Sequence, residues 1–128
     1  MKVFLAGATG VLGVRLVPLL VEAGHDVVGM TRSPAKADLL TELGATPVVC
    51  DVYDTTALTA AVVDVAPEVV VHQLTDLPDR PEDLGPEVFA ANARIRVEGT
   101  DNLLAAARAA SASHFVAQSI AWIASNPT

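Results

Sequence analysis

Seven residues near the N-terminus, Gly7-Ala8-Thr9-Gly10-Val11-Leu12-Gly13, carry the strongest chemical signal in the chain. They follow an apolar run over residues 2–6 and open an apolar-rich segment over 11–23, so the glycines sit at a strand-turn-helix junction. Glycine at such a turn lets the backbone approach an anion such as a pyrophosphate. The helix N-terminus offers that anion unpaired N–H groups and the positive end of a dipole. The last glycine allows close packing of helix on strand; the alternative is a tight turn in a fold without a ligand. A second candidate group is Thr31-Arg32-Ser33, at the tip of the next apolar run, where the Arg32 fork suits a phosphate and a neighbouring hydroxyl could add a bond.

The elements that must position these groups alternate. Strands are expected over residues 2–6, 26–30, 46–50, 68–72 and 114–118, and helices over 11–23, 35–43, 55–65 and 87–110. Gly24 and Gly44 read as helix stops, Ser33 as an N-cap with Pro34 as first helical residue, and Pro18 as a bend within one helix. Asp51 or Asp54 could cap the third helix. The segment from Gln73 to Pro86 holds Pro78, Pro81 and Pro86 and exceeds the usual ~2–6 residues of a strand-to-helix connection, a length more often functional than incidental. Four strand-helix units and a last strand predict an α/β fold with a parallel sheet and right-handed crossovers. Near-continuous apolar strands fit a sheet covered on both faces.

Composition narrows the function classes. At 128 residues the chain forms one domain, 1–128. A formal net charge of -7, from 15 acidic and 8 basic side chains, argues against nucleic acid as a partner, since a phosphate-backbone binder needs a basic footprint. One cysteine, Cys50, forbids an internal disulfide and a multi-cysteine zinc site. No metal site is expected, Cys50 reads as a small buried hydrophobe, and the default location is cytoplasmic. The glycines interrupt the N-terminal apolar stretch against a signal-peptide reading, and no apolar run approaches the ~20 residues that cross a bilayer.

The Gly-x-x-Gly-x-x-Gly spacing resembles that of extended and atypical short-chain dehydrogenase/reductases, in particular the NAD(P)-dependent epimerase/dehydratase family. Further matching segments come in the family's order: Asp51-Val52; Val69-Val70-Val71-His72-Gln73-Leu74; Asn92 with Arg96-Val97-Glu98-Gly99-Thr100-Asp101-Asn102-Leu103-Leu104; and Phe115-Val116-Ala117-Gln118-Ser119. The resemblance implies a Rossmann-like open sheet in the order 3-2-1-4-5, with the first two helices on one face, the next two on the other, and later strands and helices missing. It places a dinucleotide's pyrophosphate on Gly7, Ala8, Thr9, Gly10, Val11 and Leu12. Asp51 would take the adenine's exocyclic amine, Val52 would add a backbone contact, and Leu74 and Thr75 would line the ribose and nicotinamide region. Leu74 could equally be a buried loop anchor, and Asn92 either an active-site support or a helix-surface residue. The second strand ends without the carboxylate of an NAD site, and Arg32 suits a 2′-phosphate, so NADP is favoured over NAD. His72 reads as a core histidine, Arg94, Arg96 and Arg108 as a solvated helix face, and Arg94 with Glu98 as an i, i+4 pair.

Hydride-transfer members of the superfamily use a tyrosine and a lysine four residues later, plus a hydroxyl that polarises the substrate. The chain's tyrosine is Tyr53 and its lysines are Lys2 and Lys36, so that dyad is absent from these 128 residues. Ser119 stands in the family's hydroxyl-rich segment, either as that catalytic hydroxyl or as a strand-end cap. The expectation is the cofactor-binding part of an epimerase, dehydratase or reductase without efficient turnover, its substrate a small carbonyl, alcohol or sugar nucleotide only if the chain were completed. A non-catalytic dinucleotide sensor resembling the NmrA regulators, and a remnant that binds nothing, are the rivals. An apolar fifth strand at the sheet edge, or the long helix, would support a homo-oligomer.

Overall fold

The computed structural model describes residues 1–75 and 81–118. Five strands form one parallel sheet: β1 (Lys2–Ala6), β2 (Asp26–Thr31), β3 (Thr46–Val49), β4 (Val69–His72) and β5 (His114–Ala117). Their spatial order is β3-β2-β1-β4-β5, as the sequence led us to expect. Four α-helices connect them: α1 (Gly13–Glu22), α2 (Ala37–Glu42), α3 (Thr55–Val65) and α4 (Pro86–Ala109).

Alternation along the strands divides the core in two. On one face Val3, Leu5, Val27 and Val71 pack with Val17 of α1 and Leu40 of α2. On the other, Phe4, Ala6, Val28, Met30 and Val70 meet Leu58 and Val62 of α3 and Ile95, Leu103, Ala106 and Ala107 of α4. The sheet is therefore covered on both faces, and its central strand β1 is buried from Val3 to Ala6. Edge strand β5 is thinner cover: Phe115 packs on the second core, while Val116 is 50% exposed.

Local chemistry explains most boundaries. α1 starts at Gly13 rather than Val11, and it runs through Pro18 as one helix. It closes with Gly24 N–H on the Val21 carbonyl at 3.0 Å and His25 N–H on that of Leu20 at 3.1 Å. Asp54, not Asp51, caps α3, accepting the Ala57 N–H at 3.2 Å. Ser33 makes no side-chain cap bond, contrary to expectation; Pro34–Lys36 is a 3₁₀ turn held by Lys36 N–H on the Ser33 carbonyl at 3.1 Å. Without a hydroxyl satisfying the first-turn donors, the tighter i to i+3 bond takes their place, and the α-helix begins only at Ala37.

Candidate functional site

Because all five strands run the same way, their carboxyl ends meet along one edge of the sheet, and every candidate group follows such an end. The glycine turn leaves β1, Arg32 and Ser33 leave β2, Asp51 and Val52 follow β3, and Gln73, Leu74 and Thr75 follow β4. Ser119, beyond β5, lies outside the described residues, so its assignment stays with the sequence.

The turn itself is built by backbone contact. Gly7 has φ +85°, and a Cβ there would lie 2.6 Å from the carbonyl carbon and oxygen of Gln73 and 2.9 Å from the Leu74 nitrogen. Gly13 faces back into the same turn, where a Cβ would strike the Gly7 carbonyl oxygen and stand 2.6 Å from the Ala8 carbonyl. The first glycine thus seats the turn on the loop after β4, and the last seats α1 on the turn. Two donors are already engaged: Ala8 N–H reaches the Met30 carbonyl at 3.3 Å, and Gly10 N–H reaches that of Gly7 at 3.2 Å. Ala8 is buried, whereas Val11 and Leu12 are exposed at the opening of α1, whose N-terminus carries no side-chain cap.

Thr9 joins the turn to the end of β2, its hydroxyl 3.2 Å from that of Thr31. Thr31 is buried, and the same hydroxyl accepts the Ser33 N–H at 3.2 Å. Of the two hydroxyls considered beside Arg32, Thr31 is thus committed to the protein's own polar groups. Arg32 is exposed next to it.

Asp51 is exposed, and its carboxylate accepts the Tyr53 N–H at 2.9 Å, fixing a short turn. Val52 is buried, its carbonyl accepting from Asn102 Nδ2 at 3.0 Å. Asn102 had been noted only as part of a matching segment; it ties α4 to the loop after β3. Its signal was a polar residue beside an otherwise apolar helix face. Arg94 stacks over Tyr53 at 4.0 Å from the ring centre and pairs with Glu98 at 3.1 Å, so this arginine is held rather than simply solvated. Asn92 is buried, which removes the helix-surface alternative. Cys50 is buried, and burial, with Asp54 and Asp51 nearby, pushes its thiol pKa up. Among the described residues no group of three or more His, Cys, Asp or Glu could hold a metal, and no helix is long and apolar enough to cross a membrane.

His72 is a core histidine with a task. Its Nδ1 accepts the Leu74 N–H at 3.1 Å, which requires the neutral ring. Burial lowers its pKa below the usual histidine value, the Arg96 charge acts in the same direction, and a hydrogen bond to the Ile95 backbone opposes them. An unfolded chain takes up a proton near pH ~6.5 that the folded ring refuses. Stability from this source is therefore complete above ~6.5 and is lost as the pH falls below it. Urea midpoints of wild type and His72→Asn across pH 5 to 8 should diverge in slope only on the acid side; parallel curves would contradict the assignment.

Comparison with known proteins agrees with this geometry. A family model described as NAD(P)H-binding matches residues 7–127. A 3-diazoavenalumate denitrifying reductase from Streptomyces is 48% identical over 124 residues, 97% of this chain but 39% of the relative. Among solved structures, a UDP-glucose-4-epimerase from Stenotrophomonas maltophila with bound NAD superposes with TM-score 0.79 at 21% identity, over 96% of this chain and 38% of that one. Yeast methylglyoxal/isovaleraldehyde reductase complexed with NADPH gives TM-score 0.73 at 25% identity, over 91% and 36%. The chain thus spans less than two fifths of the length of each, and the expected Rossmann-like fold of the epimerase/dehydratase group is present. With an NAD(P)H-binding model matching from the first glycine of the turn to the penultimate residue, the chain belongs to the NAD(P)H-binding family.

Proposed function

We propose that this chain is the dinucleotide-binding part of a reductase or epimerase and that it takes NADP in preference to NAD. The observation that carries the reading is the Thr9–Thr31 bond at 3.2 Å, which fixes the glycine turn against the strand end that presents Arg32. In this arrangement the pyrophosphate lies on the main-chain N–H groups of Val11 and Leu12, and the α1 dipole favours its charge. Arg32 meets the 2′-phosphate with two parallel N–H donors, and the Ser33 hydroxyl adds a third; Thr31 serves as their anchor. Asp51 faces the adenine amine, Val52 lies beside it, and Leu74 and Thr75 border the ribose and nicotinamide. When bound, the nicotinamide would supply or accept a hydride, with a small carbonyl or alcohol, or a sugar nucleotide, as the substrate class. Ser119 is the candidate to polarise that carbonyl.

Calorimetric titration tests the cofactor choice. Wild type should bind NADPH more tightly than NADH, and Arg32→Ala should weaken NADPH by about 10- to 100-fold, the equivalent of one charge-assisted contact of ~1.5–3 kcal/mol. NADH affinity should change less than about threefold. Equal affinity for both cofactors before and after the substitution would refute the role of Arg32.

A further inference from the structure

From the geometry around β4 we infer that His72 is a positioning residue for the dinucleotide, holding the Gln73–Leu74 backbone in the place against which the Gly7 turn is seated. The inference rests on the proposed dinucleotide site and adds a residue to it. His72 is 4% exposed and ends β4. Its Nδ1 accepts the Leu74 N–H at 3.1 Å, and that same Leu74 nitrogen is one of the atoms a Gly7 Cβ would meet. The ring also hydrogen-bonds the Ile95 backbone; with Nδ1 already an acceptor, that bond uses Nε2–H and a carbonyl of α4. Gly99 makes room for the ring, since a Cβ there would stand 3.3 Å from Nε2. One imidazole thus spans from α4 to the loop bordering the site, donating on one side and accepting on the other. Its second bond sets the direction of the Gln73–Leu74 peptide, and so the floor on which the turn rests.

Two polar substitutions separate the ends of the ring. Asparagine at 72 places an oxygen where Nδ1 stands and can accept the Leu74 N–H as in an Asx turn, losing the Ile95 bond. Glutamine reaches the Nε2 position and loses the Leu74 bond instead. Thermal midpoints and NADPH affinity are measured on both variants of the full chain. A positioning role predicts that His72→Asn binds NADPH within about threefold of wild type while His72→Gln binds about tenfold more weakly, at comparable midpoints. Loss of affinity that simply tracks the midpoint in both variants overturns the role of His72 and leaves the site standing. Wild type that binds neither NADPH nor NADH overturns the site reading and this inference with it. Should His72→Gln not fold, the side-chain nitrogen NMR spectrum of wild type decides: an unprotonated Nδ1 and a slowly exchanging Leu74 amide support the role, and a protonated Nδ1 overturns it.

Discussion

Replacing Gly7 with alanine is expected to lower the unfolding free energy by about 2 to 5 kcal/mol and to weaken NADPH binding at least 100-fold. Two costs combine. At φ +85° an L side chain occupies the left-handed region, at about 1–2 kcal/mol. The new Cβ would also sit 2.6 Å from the Gln73 carbonyl, where ordinary contact begins near 3.4 Å. That neighbour is backbone and cannot rotate away, so strand end and turn must separate, at roughly 1–3 kcal/mol by analogy with overpacked cores. Small domains hold ~5–15 kcal/mol in all, so the variant should fold with a much lower denaturant midpoint. The affinity loss follows from moving the turn that presents Val11 and Leu12. A variant with wild-type midpoint and affinity would show that the turn does not rest on the loop after β4.

The second large effect is expected from Gly13→Ala, and its origin differs. Gly13 opens α1 with no positive φ, so alanine should gain about 1 kcal/mol of helix propensity there. Against that gain, its Cβ would collide with the Gly7 carbonyl oxygen and the Ala8 carbonyl, both backbone, in a turn held by Gly10 N–H on the Gly7 carbonyl and Ala8 N–H on that of Met30. We expect a net loss of about 1 to 3 kcal/mol and a fall in NADPH affinity of tenfold or more, because α1 must lift from the turn whose donors it orders. Gly10→Ala supplies the internal comparison. Its nearest neighbour would be the Gly7 oxygen at 3.4 Å, an ordinary contact, so its stability should stay close to wild type. Denaturation of the three variants should therefore rank Gly7 first, Gly13 second and Gly10 last. A reversed order would contradict the packing described for the turn.

Much of the fold could be read before any coordinates. Strand β1 and helix α3 fall at the residues their patterns predicted, Lys2–Ala6 and Thr55–Val65, because apolar runs and helical periodicity are local signals. The other elements shift by one or two residues at their ends, α2 because Pro34 opens a 3₁₀ turn ahead of it. The glycine turn was equally plain, since a strand-turn-helix junction with three glycines needs only nearby residues to be recognised. Cap assignments were less secure. Asp51 and Asp54 both precede α3 with suitable side chains, and only the chain path determines that Asp54 turns back onto Ala57 while Asp51 turns onto Tyr53.

What the sequence determined by itself is the order of elements, the strand order through the resemblance, and the likeness to NAD(P)-binding proteins. Each depends on periodicity, spacing and motif order along the chain. What only the tertiary structure decided is which side chains hold the site together. Thr9 meets Thr31 across 22 residues, and Asn102 meets Val52 across 50. His72 acts across a shorter sequence distance, but its Leu74 partner lies against Gly7 of the turn after β1, and Gly99 of α4 stands beside its ring. The first and last glycines differ in what they make room for: Gly7 meets the Gln73–Leu74 backbone, brought beside it by the parallel pairing of β1 with β4, whereas Gly13 meets Gly7 and Ala8 of its own turn. A spacing pattern records where a backbone can turn, whereas the partner that Gly7 makes room for is chosen only when distant strands come side by side.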